Sequence, residues 1–158
     1  MMTAAAHVRH TAGILFVEDV LQHILLCLVV GISDGDTIKV RCGDGPQERV
    51  RIAEIDAPER KQPFGTKSKQ ALSDLIYMKH VELLVSDRDR YGRIVARVLI
   101  DGKDAGFAQV SSGMAWCYDA YVKDRACYMH QDAARAARAG LWSDEAPMQP
   151  WEWRKARR

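Results

Sequence analysis

The sequence is short of several features that would mark other kinds of small protein. Its four cysteines, Cys27, Cys42, Cys117 and Cys127, contain no C-x-x-C pair and stand near no histidine cluster, which excludes a structural zinc site. The five histidines, His7, His10, His23, His80 and His130, share no metal-ligand or general-base spacing, so histidine-based chemistry is not indicated. Charge of one sign is also lacking: 23 Lys and Arg face 21 Asp and Glu, a net charge of +2. A protein that coats nucleic acid carries a far more basic balance, so any nucleic-acid site here must be local. Internal repeats and low-complexity tracts are absent.

Long hydrophobic runs are absent too. Ile24 to Ile32 is apolar, but it falls well short of the ~20 residues of a membrane span. A signal-peptide core is disfavoured for the same run. Glu18, Asp19 and His23 interrupt its approach, no small-residue cleavage site follows, and Ser33-Asp34-Gly35-Asp36 comes directly after. The run reads as a first strand. Residues 1–23 are expected to be a leader, with Met1 to about Thr11 disordered. Cysteine usage alone does not select a compartment.

The 158 residues, 47% of them hydrophobic, suffice for one compact domain with its own core. Asp34-Gly35 parts two apolar stretches, Leu25 to Ile32 and Thr37 to Cys42, a strong hairpin signal. If these two residues form the turn, facing positions sum to 69 and Cys27 faces Cys42, close enough for a disulfide in an oxidising compartment. Gly43 to Pro46 is a second turn. After it Val50 and Ile52 alternate with Arg49 and Arg51 until Pro58 ends the third strand. Lys67 to Lys79 has helical spacing. Val81, Leu83 and Val85 alternate as strand four, and Ile94 to Ile100 forms strand five.

Two more helices are expected, near Asp104 to Ser111 and from about Val122 to Ala139, the latter closed by Gly140. The pattern gives an α+β fold: a five-stranded oligonucleotide-binding (OB) β-barrel with three packed helices, over residues 24–145. Residues 146–158 form a basic, aromatic C-terminal tail. Its segment Trp151 to Arg158 joins two tryptophans to four cations. A solvated or barrel-docked tail is the favoured reading, and a phosphate-contacting arm outside the cleft the other.

Carboxylates gather at two turns: Asp34 and Asp36 flank the hairpin tip, and Asp56 and Glu59 flank Pro58. Either group alone is ordinary turn chemistry. If strand three lies beside strand two, both groups meet at one barrel end. Crowded carboxylates stay ionised together only with a cation among them, and hard oxygen ligands select calcium or magnesium over zinc. Arg51, outward on strand three, and Arg93, in the turn before strand five, are planar forks suited to phosphate oxygens.

These segments resemble the staphylococcal nuclease family in wording and order. Asp34-Gly35-Asp36-Thr37 is similar to its D-G-D-T hairpin, RIAEIDAPE from Arg51 to Glu59 to its R-x-x-x-x-D-x-P-E segment, and DRYGR from Asp89 to Arg93 to its D-[KR]-Y-G-R turn. Gly140-Leu141-Trp142 matches the usual close of the last helix. The resemblance implies a calcium-dependent phosphodiesterase acting on DNA and RNA with little sequence specificity and leaving 3′-phosphate ends. Asp36, Asp56 and the carbonyl of Ala57 would hold Ca2+. Glu59 would orient or deprotonate the attacking water, and Arg51 and Arg93 would grip the phosphate. Tyr91 and Tyr121 match cleft tyrosines, although Tyr121 fits a plain packing role equally well.

A monomer acting on single-stranded or locally open nucleic acid, with no membrane partner, is expected. Three departures stand out: Asp119 falls where a second cleft tyrosine is usual, the loop Lys61 to Thr66 is short, and Glu54 replaces a common glycine. In Tudor-type coactivators the same fold is a non-catalytic nucleic-acid-binding module that has lost the catalytic set. Here Asp36, Arg51, Asp56, Glu59 and Arg93 are all present. A plain OB-fold binder would need aromatic platforms on strands two and three, which contain none.

Overall fold

The computed structural model describes residues 24–158, so the leader expected over residues 1–23 lies outside the described residues. Five strands close a barrel: β1 (Ile24–Asp34), β2 (Thr37–Arg41), β3 (Gln47–Ile52), β5 (His80–Arg88) and β6 (Ile94–Ile100). They run in the order β3-β2-β1-β5-β6, and a parallel pairing of β3 with β6 shuts the seam. This is the OB-type α+β barrel expected from the sequence. Alternation does the work in β6, whose residues are buried at every second position from Ile94 to Ile100. Val29, Ile38, Val40, Val50, Ile52, Leu83 and Val98 fill the interior, and Leu72 and Ile76 of helix α1 (Gly65–Ile76) join them.

The hairpin differs from the expected register in an instructive way. The two turn residues are Gly35 and Asp36, because Asp34 pairs with Thr37. Two register shifts along β1 absorb the difference, so Leu28 faces Arg41 after all. Cys27 and Cys42 are disulfide-bonded, with Cα atoms 4.1 Å apart. The turn assignment was therefore off by one residue while the distal pairing stands. A second disulfide, Cys117–Cys127, was not anticipated.

Three helices fall near their expected places: α1, α2 (Ala105–Ser111, capped by the Asp104 side chain) and α3 (Ala126–Ala136). α3 is shorter than Val122 to Ala139 at both ends. At its start the Glu54 carboxylate accepts the amides of Lys123 and Asp124, each at 2.6 Å, which holds that stretch outside the helix. At its end Arg138 takes a positive φ of 51°, ahead of Gly140. Gly140 answers a different demand: a Cβ there would lie 2.3 Å from the Gly113 carbonyl, beside the Leu141 amide bond to that same oxygen.

A fourth helix, α4 (Pro150–Ala156), lies in the C-terminal segment beyond the three expected. Three two-residue strands were also not read from sequence: β4 (Ile55–Asp56), β7 (Lys103–Asp104) and β8 (Trp116–Cys117). β4 and β8 pair with each other. No helix among the described residues is long and apolar enough to cross a membrane.

Candidate active site at the hairpin end of the barrel

Strand pairing brings the two acidic turns together. Thr37 faces Arg51 across β2 and β3, and the Ile52 amide donates to the Asp36 carbonyl at 2.8 Å. The Asp36 carboxylate accepts the Ala57 amide at 2.7 Å and the Thr37 hydroxyl at 2.9 Å. Asp56 is held from behind by its pairing with Trp116 and is only 1% exposed. Gly35 is required at the tip, since a Cβ would meet the Ser68 hydroxyl at 1.8 Å and Ala57 Cβ at 2.8 Å. The hairpin thus packs flush against α1.

Arg51 ties the carboxylates to one another. One guanidinium nitrogen donates to the carbonyls of Ile52 and Ile55, both at 2.9 Å, which fixes its direction. The other lies 3.3 Å from Asp56 Oδ1 and 3.5 Å from Asp36 Oδ2. Burial pushes the Asp36 carboxyl up, but Arg51, the Asp34 carboxyl and the amide of Ala57 outweigh it and hold its pKa below the usual range. Asp34 behaves oppositely: burial, then repulsion from Asp36, raises it to about 7. Asp56 is raised to about 6, chiefly by burial, with Asp36 adding to it against the arginines.

The second guanidinium comes from Arg154 on α4. It donates to Asp56 Oδ2 at 2.7 Å, to Asp56 Oδ1 at 3.1 Å and to Glu59 Oε1 at 2.7 Å. Two carboxylate hydrogen bonds raise its own pKa despite the opposing effect of burial. Instead of a free arm, the segment from Trp151 packs on the barrel beside the site: the Trp151 ring stacks on Tyr118 at 5.2 Å and 9°. Sequence reading missed Arg154 and Tyr118. The signal was present, since Trp151 and Arg154 stand at i and i+3 and so share one helix face.

Arg93 lies apart from the carboxylates. Its backbone and side chain both bind Asp89, at 2.9 and 2.7 Å, and its guanidinium carbon stands 5.5 Å from the Tyr91 ring centre. The β3–β6 pairing, Val50 with Ile94 and Arg51 with Val95, places Arg93 on the same outward face as Arg51. Tyr91 and Tyr121 are 57% and 61% exposed, so neither ring is a core residue. Tyr121 meets Tyr118 edge-on at 4.7 Å. Asp119 is engaged elsewhere, accepting the Tyr128 hydroxyl at 2.7 Å.

The closed OB-type barrel thus carries, at its hairpin end, buried carboxylates gathered around an arginine. Residues 49–144 match the family described as staphylococcal nuclease homologue. An uncharacterized endonuclease of Haemophilus influenzae is 44% identical over 129 residues, covering 82% of this chain and 72% of the relative. A micrococcal nuclease of Shigella flexneri is 40% identical over 139 residues, 81% of this chain and 79% of its own. A staphylococcal-like nuclease of Arabidopsis thaliana is 38% identical over 110 residues, 70% of this chain and 34% of that protein. The chain belongs to the staphylococcal nuclease family and is a nuclease of that family.

Proposed function

We propose that this nuclease hydrolyses the phosphodiester backbone of DNA and RNA with little sequence specificity, depends on calcium, and leaves 3′-phosphate ends. The observation that carries this reading is the convergence of Asp36 and Asp56, from two separate turns, on one guanidinium nitrogen of Arg51. Among the described residues no group of three or more His, Cys, Asp or Glu forms a ready-made metal cage. The donors nonetheless fit a hard divalent ion, because they are carboxylate oxygens, largely buried and brought together from two turns. Asp36, Asp56 and the Ala57 carbonyl would hold the ion. When bound, calcium supplies Lewis-acid charge against the phosphate oxygens.

The chain's own residues supply the rest. Glu59, only partly exposed beside Asp56, takes a proton from the attacking water as its oxygen bonds to phosphorus. The bond from phosphorus to the 5′ oxygen breaks, that oxygen receives the proton, and the phosphate stays on the 3′ side. Arg51 and Arg93 oppose the charge that grows on the equatorial oxygens. Tyr91 and Tyr121 present exposed rings to the bases of a single-stranded or locally open substrate. One chain carries every residue of this set, and we propose that it acts as a monomer. A non-catalytic binding module would have no use for Glu59 beside the paired aspartates. Incubating the purified protein with single-stranded DNA and with RNA, in calcium and then in excess chelator, tests the proposal. Cleavage in calcium that stops with chelator is expected, and undiminished cleavage in chelator overturns the metal requirement.

A further inference from the structure

The reaction assigned above has no use for Arg154, yet this side chain makes the closest ionic contacts in the site. It spans both oxygens of Asp56 and reaches Glu59, with contacts of 2.7 to 3.1 Å. Each group it binds is one the reaction needs: the first as an ion ligand, the second as the acceptor of the water proton. Arg154 and a divalent ion therefore seek the same oxygens.

Charge opposes joint occupancy. Arg154 spans both Asp56 oxygens, and an ion on the same carboxylate would stand beside its guanidinium. Like charges crowded at this depth repel strongly, so exchange is favoured over addition.

The segment bearing Arg154 depends on its contacts with the barrel. α4 has seven residues, too few for a helix to stand on its own propensity. Its hold on the barrel is local: Trp151 stacks on Tyr118 and meets Trp116 edge-on at 6.1 Å, Pro150 is buried, and the Gln62 amide donates to the Met148 carbonyl at 2.7 Å. Arg154 itself is 35% exposed, at the mouth of the site, while Asp56 beneath it is 1% exposed. Withdrawal of the side chain needs no rearrangement of the barrel.

We propose that Arg154 is an internal counter-cation that occupies the site without its divalent ion and is displaced when the ion binds, so that α4 acts as an ion-released latch over Asp56 and Glu59. The latch rests on the metal-dependent reading above. It keeps Glu59 Oε1 engaged on a guanidinium until the ion arrives. Arg154 is thus an inhibitory contact and not a catalytic residue.

Calcium binding measured by titration calorimetry on the full chain tests this without any turnover. Arg154→Gln should bind calcium on the order of tenfold more tightly than the parent, with Arg154→Lys between them and Arg157→Gln, at the C-cap of the same helix but off the carboxylates, at the parent value. In the parent, saturating calcium should accelerate hydrogen exchange at the amides of residues 151–156. Equal or weaker calcium binding by Arg154→Gln, or unchanged protection of α4 in the calcium-saturated parent, overturns the latch. The exchange measurement needs no variant, so it decides the matter even if Arg154→Gln fails to fold. Calcium binding by neither protein would overturn the metal-dependent reading itself, whereas equal binding by both would remove only the latch.

Discussion

Glu59 and Glu54 are five residues apart and do opposite things. Glu59 sits at the mouth of the site, with its carboxylate on Arg154 and its amide on Gln62. A carboxylate near a bound phosphate does nothing for ground-state affinity, so its value lies in the transition state. Glu59→Gln at saturating calcium is expected to lower kcat on the order of 10²-fold or more while KM changes little. Parent-level turnover in this variant would mean that another group takes the proton. Glu54 is buried and takes a φ of 70°, a backbone conformation natural to glycine. Two short bonds to the amides of Lys123 and Asp124, and Arg97 3.8 Å away, offset that strain. The charge fastens the loop before α3. Glu54→Ala loses the bonds and keeps the strain, so it should destabilise the fold by about 2 kcal/mol or more. Glu54→Gly should cost less, because it relieves the strain. Urea unfolding of both variants checks the order, and a Gly variant less stable than the Ala one would refute it.

At the scale of elements, the turn between β5 and β6 exists to aim Arg93. Asp89 accepts the amides of Tyr91 and Arg93 and the Arg93 side chain, and the Gly92 amide closes the turn on the Asp89 carbonyl. Burial pushes the Asp89 carboxyl up, but its bonds to Arg93 together prevail and hold its pKa below the usual carboxylate range. A folded-state pKa below the unfolded one stabilises the fold above the unfolded value, and that contribution is lost as pH falls through the folded one. The stability difference between the parent and Asp89→Asn should thus be constant through neutral pH and shrink toward zero below about pH 4. Denaturant titrations across pH 2.5 to 7 measure it, and a difference that grows on acidification would contradict the ion pair. Activity of the same variant at neutral pH should fall, because Arg93 loses the partner that orients it.

Across the whole molecule, two disulfides brace the barrel, one far from the site and one behind it. Cys27–Cys42 joins the far ends of β1 and β2, and Cys117–Cys127 ties β8, the partner of the Asp56 strand, to α3. The first closes a separation of 15 residues, for which loop-closure entropy gives about 3 kcal/mol. The double variant Cys27→Ala, Cys42→Ala should lose roughly that amount by chemical unfolding of the oxidised protein. No loss would mean that the bridge does not form in solution.

The sequence by itself determined the barrel and its acidic end. Alternating apolar residues specify which strand face turns inward, Asp-Gly and Gly-Pro clusters specify where the chain reverses, and three ordered motifs specify the family. These signals are local, and local physics reads them without neighbours. The hairpin register was legible only in part. Its distal pairing is a consequence of alternation, but the register shifts along β1 and the close fit of Gly35 against Ser68 have no local signal. Two-residue strands such as β4 carry no period at all, so the pairing of Asp56 with Trp116 had no trace in the sequence. The start of α3 was decided by a glutamate some 70 positions away in the chain. The placement of Arg154 on Asp56, 98 positions distant, was decided by where the barrel, Tyr118 and Trp116 leave room for Trp151. Contacts of that span depend on the closed surface of the finished fold, and only tertiary structure brings those groups within reach of one another.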